Sequence, residues 1–379
     1  MNSKERHEAR YQRRKAKRQA RREKRVKELG PMEKIFGYRK MLQYGRKCCN
    51  GVRWKQSTQN FEWHLFSGTA VRRRKVLDGT WKPGKTNRFL LSERGKIRPI
   101  DAPHIKDRQV EKVYTKEILV PLYGPEMIYD NGASQAGKGL HWHYQRLKEQ
   151  LRYHYRRYGR DGAVFLLDFH AFFPSAPHEA VYRHHENLLL DERMRELADR
   201  IVKAVPGDFG MPLGVEPSQQ EMVSLPSPLD NYIKCQLGVH GAGHYMDDYY
   251  VIFPSIEEAK AAAERIIEKA ESLGFTVNRN KSHIVPLTKP FRFCKAKFLL
   301  TETGRVVTHG CRDGMKRARR KLRSFLPKVQ RGEMTLDAVK AFLQSQISYY
   351  QHFNDHGRIL KLRRMFYTMY GEGSLCAIS

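Results

Sequence analysis

The chain has 379 residues, 40% of them hydrophobic, which is enough apolar material for a packed core in two or three subdomains. Lys and Arg number 71 against 40 Asp and Glu, a formal net charge of +31 that favours polyanionic partners. No apolar run reaches the roughly 18 residues of a membrane span, and the N-terminus is charged, so we expect a cytoplasmic protein. The six cysteines are scattered, which predicts reduced thiols and neither a disulfide framework nor a structural zinc site.

Residues 1–30 form a basic arm with 13 Lys and Arg against 4 Glu. The arm holds good helix formers and no Gly or Pro before Gly30, so we predict that it is disordered alone and helical once a polyanion neutralises it. Basicity also continues through the rest of the chain, which favours nucleic-acid contact over a solubility tail. The candidate phosphate contacts in the arm are Arg13, Arg14, Lys15, Lys17 and Arg18.

Periodicity and turn signals predict the elements that follow in chain order. Basic and aromatic residues alternate over 37–109 and indicate a helix and then short strands. The predicted helices are Asp107–Tyr123, His141–Tyr158, His178–Val205, Ile256–Leu273 and a basic region over 315–370. A turn-rich loop is expected over Gly207–Gly214, a tight hairpin over 239–253 and a further hairpin over 291–308.

Two acids stand at the ends of apolar strands. Asp168 ends the run AVFLLD, and Asp247, with Asp248 beside it, is expected at the tip of a hairpin. Transfer of a nucleotidyl group to a 3′-hydroxyl by two metal ions needs carboxylates that converge from separate strands, and Mg²⁺ prefers such oxygen ligands. Acid pairs on hairpins are also common as purely structural features, so the surrounding motifs decide the interpretation.

These motifs resemble those of reverse transcriptases. Tyr245-Met246-Asp247-Asp248 looks like the Y-x-D-D motif, and residues 168–175 (DFHAFFPS) resemble the D-x-x-x-F-F-P-S motif that precedes it. The similarity covers roughly residues 85–370. Lys96–Ile100 and Asp107–Lys112 resemble fingers segments of group II intron and retron enzymes. Leu273–Ser282 resembles a segment that lies near the departing pyrophosphate, and Phe291–Leu300 resembles the primer grip.

The resemblance implies an α+β right-hand polymerase fold with fingers, an antiparallel palm and a C-terminal helical thumb. The domains it implies after the arm (1–30) are fingers over 31–160, palm over 161–308 with interleaved fingers segments, and thumb over 309–379.

One stretch of the sequence distinguishes between branches of the reverse transcriptases that it resembles. In residues 211–219 (MPLGVEPSQ), Leu213 replaces the usual Gln and Gln219 replaces the usual Pro, a pattern similar to diversity-generating retroelement enzymes. Pro226 and Pro228 depart from it, since they interrupt the helix that usually follows. The sequence is also similar to some phage-defence reverse transcriptases, whose synthesis is protein-primed or untemplated. Besides these two kinds of enzyme, a third alternative is a non-catalytic RNA-binding protein that keeps the polymerase scaffold.

The resemblance also implies roles for individual residues. Asp168, Asp247 and Asp248 would hold two Mg²⁺ ions, with Mn²⁺ as a substitute. Phe173 would exclude a 2′-hydroxyl, or is only a core residue. The other implied nucleotide contacts are Phe169, Leu213, Gly214, Gln219, Arg98 and Lys96 (triphosphate, or a solvated strand end) and Lys281 (pyrophosphate, or a bare surface lysine). The implied nucleic-acid contacts outside the arm are Tyr245, Met246, Lys316, Arg317, Arg319 and Arg320.

The expected activity is RNA-directed DNA synthesis. Its expected partners are an RNA template, a DNA or RNA primer and dNTPs, together with a structured non-coding RNA and an accessory protein. Template identity and the priming group are not determined by the sequence.

Overall fold

The structure is a computed structural model that describes residues 3–93 and 95–371, apart from the side chains of Ser3, Lys4, Glu93 and Lys96. Its helices are α1 (Ser3–Leu29), α2 (Met32–Ile35), α3 (Tyr38–Cys49), α4 (Gln56–Trp63), α5 (Leu65–Leu77), α6 (Ile105–Tyr114), α7 (Val120–Tyr123), α8 (Leu140–Tyr158), α9 (His178–Leu188), α10 (Glu192–Lys203), α11 (Glu216–Ser224), α12 (Ser227–Asn231), α13 (Ile256–Ser272), α14 (Arg312–Gln330), α15 (Leu336–Gln351) and α16 (His356–Tyr370). Its strands are β1 (Asn87–Glu93), β2 (Lys96–Ala102), β3 (Ala163–Asp168), β4 (Ala242–Tyr245), β5 (Asp248–Phe253), β6 (His283–Pro286), β7 (Phe291–Phe293), β8 (Ala296–Leu300) and β9 (Val306–Gly310).

The chain forms two compact units that alternate along the sequence. The first comprises residues 1–139, 169–237 and 265–278, and the second comprises residues 140–168, 238–264 and 279–379. The implied division into fingers, palm and thumb follows function, and it stays a prediction.

The first unit is built mainly from helices around one apolar core. Val110, Val113, Ile118 and Leu119, which the helical spacing predicts on one face, are all fully buried in that core. The predicted helix over Asp107–Tyr123 is nevertheless interrupted by a π-helical turn at Thr115–Leu119. The turn precedes Pro121, which has no N–H to donate to the carbonyl four residues earlier, so regular α-helical bonding cannot run through it. The hairpin β1–β2 also belongs to this unit, with Asn87 opposite Ala102.

The second unit contains a four-stranded antiparallel sheet in the order β4-β5-β3-β6. Residues 163–167 of β3 are buried, as the apolar run predicts for an inner strand. A three-stranded sheet, β7-β8-β9, and the helices α14 to α16 complete the unit. One core cluster joins Leu147 of α8, Val164 of β3 and Ile252 of β5 to these helices. The predicted hairpin over 239–253 is confirmed as β4–β5, whereas the single hairpin predicted over 291–308 is the three-stranded sheet β7-β8-β9.

The basic arm differs from the predicted disorder, because the structure has it as one helix, α1, from Ser3 to Leu29. Its last turns are anchored within the first unit: Arg22 pairs with Glu126 at 2.7 Å, Arg25 pairs with the same carboxylate, and Val26 packs against the core. An uninterrupted run of helix formers propagates from such an anchor, since each added residue gains a hydrogen bond.

Two long predicted helices are divided. The helix expected over His178–Val205 is α9 and α10, because Asp191 caps α10 by accepting a hydrogen bond from Met194 N at 3.0 Å. The basic region expected over 315–370 is α14, α15 and α16, and Thr335 caps α15. The predicted break at Pro226 is confirmed, since it separates α11 from α12.

Two chain-wide predictions also concern the fold. The five cysteines within the described ranges are free thiols, and Cys376 lies outside those ranges. Among the described helices, none has an apolar stretch long enough to cross a membrane.

Candidate active site

The strand register of the second unit brings the predicted acids together. Asp168, the last residue of β3, pairs with Asp248, the first residue of β5, and Asp248 in turn pairs with Tyr245 at the end of β4. Both carboxylates therefore stand at the same end of the sheet. The strands behind them are buried, so these acids are held on a rigid support.

Met246 and Asp247 form the two-residue turn between the paired residues Tyr245 and Asp248. Met246 has a φ of 57°, the positive value that two-residue hairpin turns require and that costs a side-chain-bearing residue about 1 kcal/mol or more. Buried His244 donates a hydrogen bond from Nδ1 to the Met246 carbonyl oxygen at 3.0 Å and stacks on Tyr249 at 4.4 Å between ring centroids. This packing stabilises the turn that carries Asp247.

The acids repel one another electrostatically. Burial, reinforced by the carboxylates of Asp247 and Asp168, raises the pKa of Asp248 to about 6. The Cys294 thiol opposes this rise, because its Sγ donates a hydrogen bond to Asp248 Oδ2 at 3.4 Å. A cation placed here would relieve the repulsion and favour the ionised form of all three acids.

A lysine already lies beside one acid. Lys281 Nζ is 3.3 Å from Asp168 Oδ2, with the lysine side chain 57% exposed, and the neighbouring Ser282 Oγ accepts a hydrogen bond from Asp168 N. The structure therefore places Lys281 at the acid cluster. Its implied contact with pyrophosphate stays a prediction.

The donor chemistry of the cluster fits hard divalent cations, since carboxylate oxygens are the ligands that Mg²⁺ prefers. In the part of the chain that the structure describes, however, no three His, Cys, Asp or Glu side chains are already grouped as metal ligands. Asp168 is turned to Lys281 and Asp248 to Cys294. A cation bound at this cluster would therefore compete with these two contacts.

Cys294 is a site residue that sequence reasoning missed. It forms, with Lys295, the two-residue turn between β7 and β8, and both residues have positive φ, 44° and 69°. The Tyr144 hydroxyl donates to the Cys294 carbonyl oxygen and supports this turn. The available signal was the two-residue gap between FRF and AKFLL, which predicts a hairpin turn but not where its thiol points.

The aromatic residues that follow Asp168 belong to the first unit. The Phe169 ring is 3% exposed and stacks on Phe172 and Phe275 at 5.4 and 5.0 Å between centroids. The side chain of Phe169 is thus part of the core, and its implied nucleotide contact would have to come from the backbone. Phe173 is half-buried and packs edge-to-face on Phe172. The implied role of Phe173 in sugar discrimination stays a prediction.

The discriminating loop is joined to β2 within the first unit. The Leu213 carbonyl oxygen accepts a hydrogen bond from Asp101 N at 2.7 Å. Gly214 has a φ of 109°, and a Cβ there would stand 2.9 Å from the Asp101 carbonyl oxygen, so only glycine fits. Gln219 is exposed and donates from Nε2 to Ser134 Oγ at 2.7 Å. Arg98 is half-buried on β2. The Lys96 side chain lies outside the described part of the chain.

The implied nucleic-acid contacts are spread over three places. Tyr245 and Met246 lie with the acids in the second unit, where both are half-buried. On α14, Lys316, Arg319 and Arg320 are exposed and Arg317 is half-buried. On α1, all five arm residues are exposed: Arg13, Arg14, Lys15, Lys17 and Arg18. Their exposure is compatible with phosphate contact, and their roles stay predictions.

Comparison with known proteins gives the family. The family described as reverse transcriptase (RNA-dependent DNA polymerase) matches residues 82–298, more than half of the chain. A search of curated proteins found no match.

Two similar solved structures are telomerases. One is the telomerase from Candida albicans in complex with a TWJ fragment of telomeric RNA, with 12% identity, a TM-score of 0.47 and coverage of 76% of this chain and 55% of that one. The other is apo telomerase from Candida tropicalis truncated from its C-terminal domain, with 11% identity, a TM-score of 0.45 and coverage of 64% and 59%. The chain thus spans little more than half the length of either.

The matched range contains both acidic motifs, the loop over residues 211–219 and all but the last two residues of the segment Phe291–Leu300. Together with the mixed helix and sheet architecture, the match confirms the predicted α+β right-hand polymerase fold. It does not distinguish between branches of the family. The chain belongs to the reverse transcriptase family of RNA-dependent DNA polymerases.

Proposed function

We propose that the chain is an active RNA-directed DNA polymerase that makes cDNA in a diversity-generating retroelement. The observation that carries the activity is the register of the sheet, which pairs Asp168 with Asp248 and leaves Asp247 in the adjoining turn. An RNA-binding protein without catalysis would have no need to keep three mutually repelling acids at one end of a buried sheet.

The three acids would hold two divalent cations, Mg²⁺ or in its place Mn²⁺, which when bound lower the pKa of a primer 3′-hydroxyl and neutralise triphosphate charge. Asp168 would then exchange Lys281 for a cation, since the ammonium now occupies one of its oxygens at 3.3 Å. The released Lys281 would be available to the leaving pyrophosphate. Cys294 would keep Asp248 oriented through its thiol.

The basic surface supports the proposed partners. An RNA template, a primer and dNTPs are all polyanions, and the chain carries a net charge of +31. We extend the proposal to a structured non-coding RNA, which the exposed basic face of α1 suits, and to an accessory protein, for which no surface is assigned. The site of action in this proposal is the cytoplasm.

Asp247→Asn tests the polymerase assignment. Asp247 lies in a half-exposed turn, so the substitution should leave the fold and RNA affinity nearly unchanged while primer extension on RNA is abolished, because one charged ligand is lost. Asp337→Asn, at a carboxylate that is 89% exposed on α15, is the matched control and should extend normally. Extension by Asp247→Asn within a few-fold of wild type would contradict the assignment.

The retroelement branch depends on Leu213-Gly214 combined with Ser218-Gln219. A glutamine at 213 would hold the incoming nucleotide by hydrogen bonding, whereas leucine gives up a polar contact of roughly 0.5–1.5 kcal/mol, or up to about tenfold in pairing discrimination. We therefore expect frequent errors at template adenines in wild-type cDNA and fewer in Leu213→Gln. The comparison is made by sequencing cDNA from both proteins on one adenine-rich template.

A phage-defence reverse transcriptase is the second candidate, because the break between α11 and α12 at Pro226 departs from the retroelement pattern and weakens that match. Its signature would be products that are covalently attached to protein or carry no template sequence. Accurate copying at adenine by the wild type, or no change in Leu213→Gln, would favour this candidate or a general enzyme.

A further inference from the structure

A cleft of about 720 Å³ opens in the first unit, between the segment that begins at Lys82 and the loop that follows α10. All of its lining residues belong to that unit, whereas the acid cluster belongs to the second. We propose that this cleft binds one nucleotide of a single-stranded RNA segment, with the base against its apolar wall and the flanking phosphates on its lysines. The assignment of RNA as the ligand rests on the proposed function.

The wall of the cleft suits a flat heterocycle. It is formed by Ile201 and Val215, each 5% exposed, and by the rings of Pro83, Pro206 and Pro212. Pockets for small planar ligands are mostly apolar and contain a few placed polar groups. A base displaced from its stack would place one face against this wall.

The rim carries positive charge that the protein does not neutralise. Arg88 is occupied by Asp101, at 3.0 and 3.2 Å, and Arg200 by Glu196 at 2.9 Å. Throughout the described ranges, by contrast, no ion pair involves the lining residues Lys82, Lys85 and Lys203, which are exposed. These three ammonium groups are therefore available to phosphates on either side of a bound base.

Glu111 supplies the polar group at the buried side of the cleft. It is 2% exposed, and within the described part of the chain its Oε2 has no hydrogen-bond partner. Leaving a buried polar atom without a partner is costly, which indicates that a donor arrives from outside the chain. Burial and the nearby Asp107 carboxylate raise the pKa of Glu111 to about 8, so at pH 7 the acid is mostly neutral and offers one donor and one acceptor. Adjacent donor and acceptor atoms on the edge of a base match that pair.

The cleft also adjoins the Leu213 loop. Pro212 lines it, and Asp101, another lining residue, donates its N–H to the Leu213 carbonyl oxygen at 2.7 Å. A strand that places one nucleotide in the cleft would thus be held beside the loop to which we assign a role in copying fidelity.

The test is a binding assay on the full chain, without dNTPs or metal, so that synthesis plays no part. The probes are a fluorescent 12-nucleotide oligo(rA) and the same RNA strand with abasic residues. Glu111→Leu should bind oligo(rA) about tenfold more weakly, as for the loss of one base contact, and bind the abasic strand like wild type. Because leucine removes an unpartnered buried acid, the variant should unfold at a temperature no lower than wild type. Equal affinities of both proteins for oligo(rA) would overturn the proposal.

Salt dependence tests the rim. Combined Lys82→Ala, Lys85→Ala and Lys203→Ala should reduce the slope of log affinity against log salt by about 1.4, at about 0.7 for each of the two phosphates that flank the bound nucleotide. Lys260→Ala, an exposed lysine on α13 near Glu257 and Glu264, is the control and should leave the slope unchanged. An unchanged slope in the triple variant would refute the assignment of phosphates to the rim.

A competition experiment tests whether the cleft binds an RNA strand or a free nucleotide. Millimolar ATP should not displace oligo(rA) from wild type, and displacement that depends on Glu111 would overturn the strand assignment in favour of a free nucleotide. Asp247→Asn should retain the Glu111 effect. Failure of DNA synthesis would therefore contradict the proposed function without changing this result.

Discussion

Gly214→Ala should destabilise the first unit and impair nucleotide incorporation. The new Cβ would stand 2.9 Å from the Asp101 carbonyl oxygen and 3.1 Å from Ile100 Cγ2, so the loop or β2 must move. The φ of 109° adds about 1–3 kcal/mol of backbone strain for alanine, and the forced contact adds about 1–3 kcal/mol. We expect the free energy of unfolding to fall by about 3 kcal/mol.

Gly207→Ala is the matched control in the same loop. Gly207 also has a positive φ, 84°, but a Cβ there meets nothing within 4 Å, so only backbone strain of about 1–2 kcal/mol applies. Urea denaturation of both variants measures the difference, which should be about 1–2 kcal/mol. In primer extension, we expect kcat/KM for dNTP to fall about tenfold in Gly214→Ala alone, because displacement of the loop breaks the bond from Asp101 N to the Leu213 carbonyl.

Equal stability of the two variants would refute this reasoning, since it would show that the approach of the loop to β2 is not close. Normal incorporation by a destabilised Gly214→Ala would show instead that the position of Leu213 does not matter for the reaction.

Two further predictions concern buried charge and the arm. Burial alone would lower the pKa of His185, but the carboxylates of Glu221 and Asp199 outweigh burial and raise this pKa to about 9. The protonated imidazolium therefore stabilises the fold fully below about pH 6.5, and this stabilisation is lost as the pH rises through 9. Between pH 6.5 and 10 the free energy of unfolding should fall by about 3 kcal/mol more in wild type than in His185→Gln, measured by urea denaturation, and parallel curves would contradict the charge assignment. Deleting residues 1–21, which keeps the Arg22 pair with Glu126, should weaken RNA binding and flatten its salt dependence without lowering the melting temperature; equal slopes would make the arm a solubility tail.

The local features of this protein could be predicted from its amino-acid sequence. Alternation, apolar runs and turn residues act over a few neighbouring positions, so the strand that ends at Asp168, the hairpin that carries Asp247 and the buried face of α6 were predictable. The break at Pro226 agrees with the missing N–H of proline, which cannot donate a helical hydrogen bond. The family was recognisable because its motifs are short and contiguous.

Contacts between residues far apart in the sequence could not be predicted and depend on the three-dimensional fold. The thiol of Cys294 reaches Asp248 because two hairpins of the second unit pack together, and no periodicity encodes that contact. The helical state of α1 depends on the pairing of Arg22 with Glu126, more than 100 positions away. The environment of Glu111 depends on a wall contributed by the loop that follows α10. In each case the energy comes from a contact between segments whose approach the whole chain path determines, and a local pattern contains no information about that path.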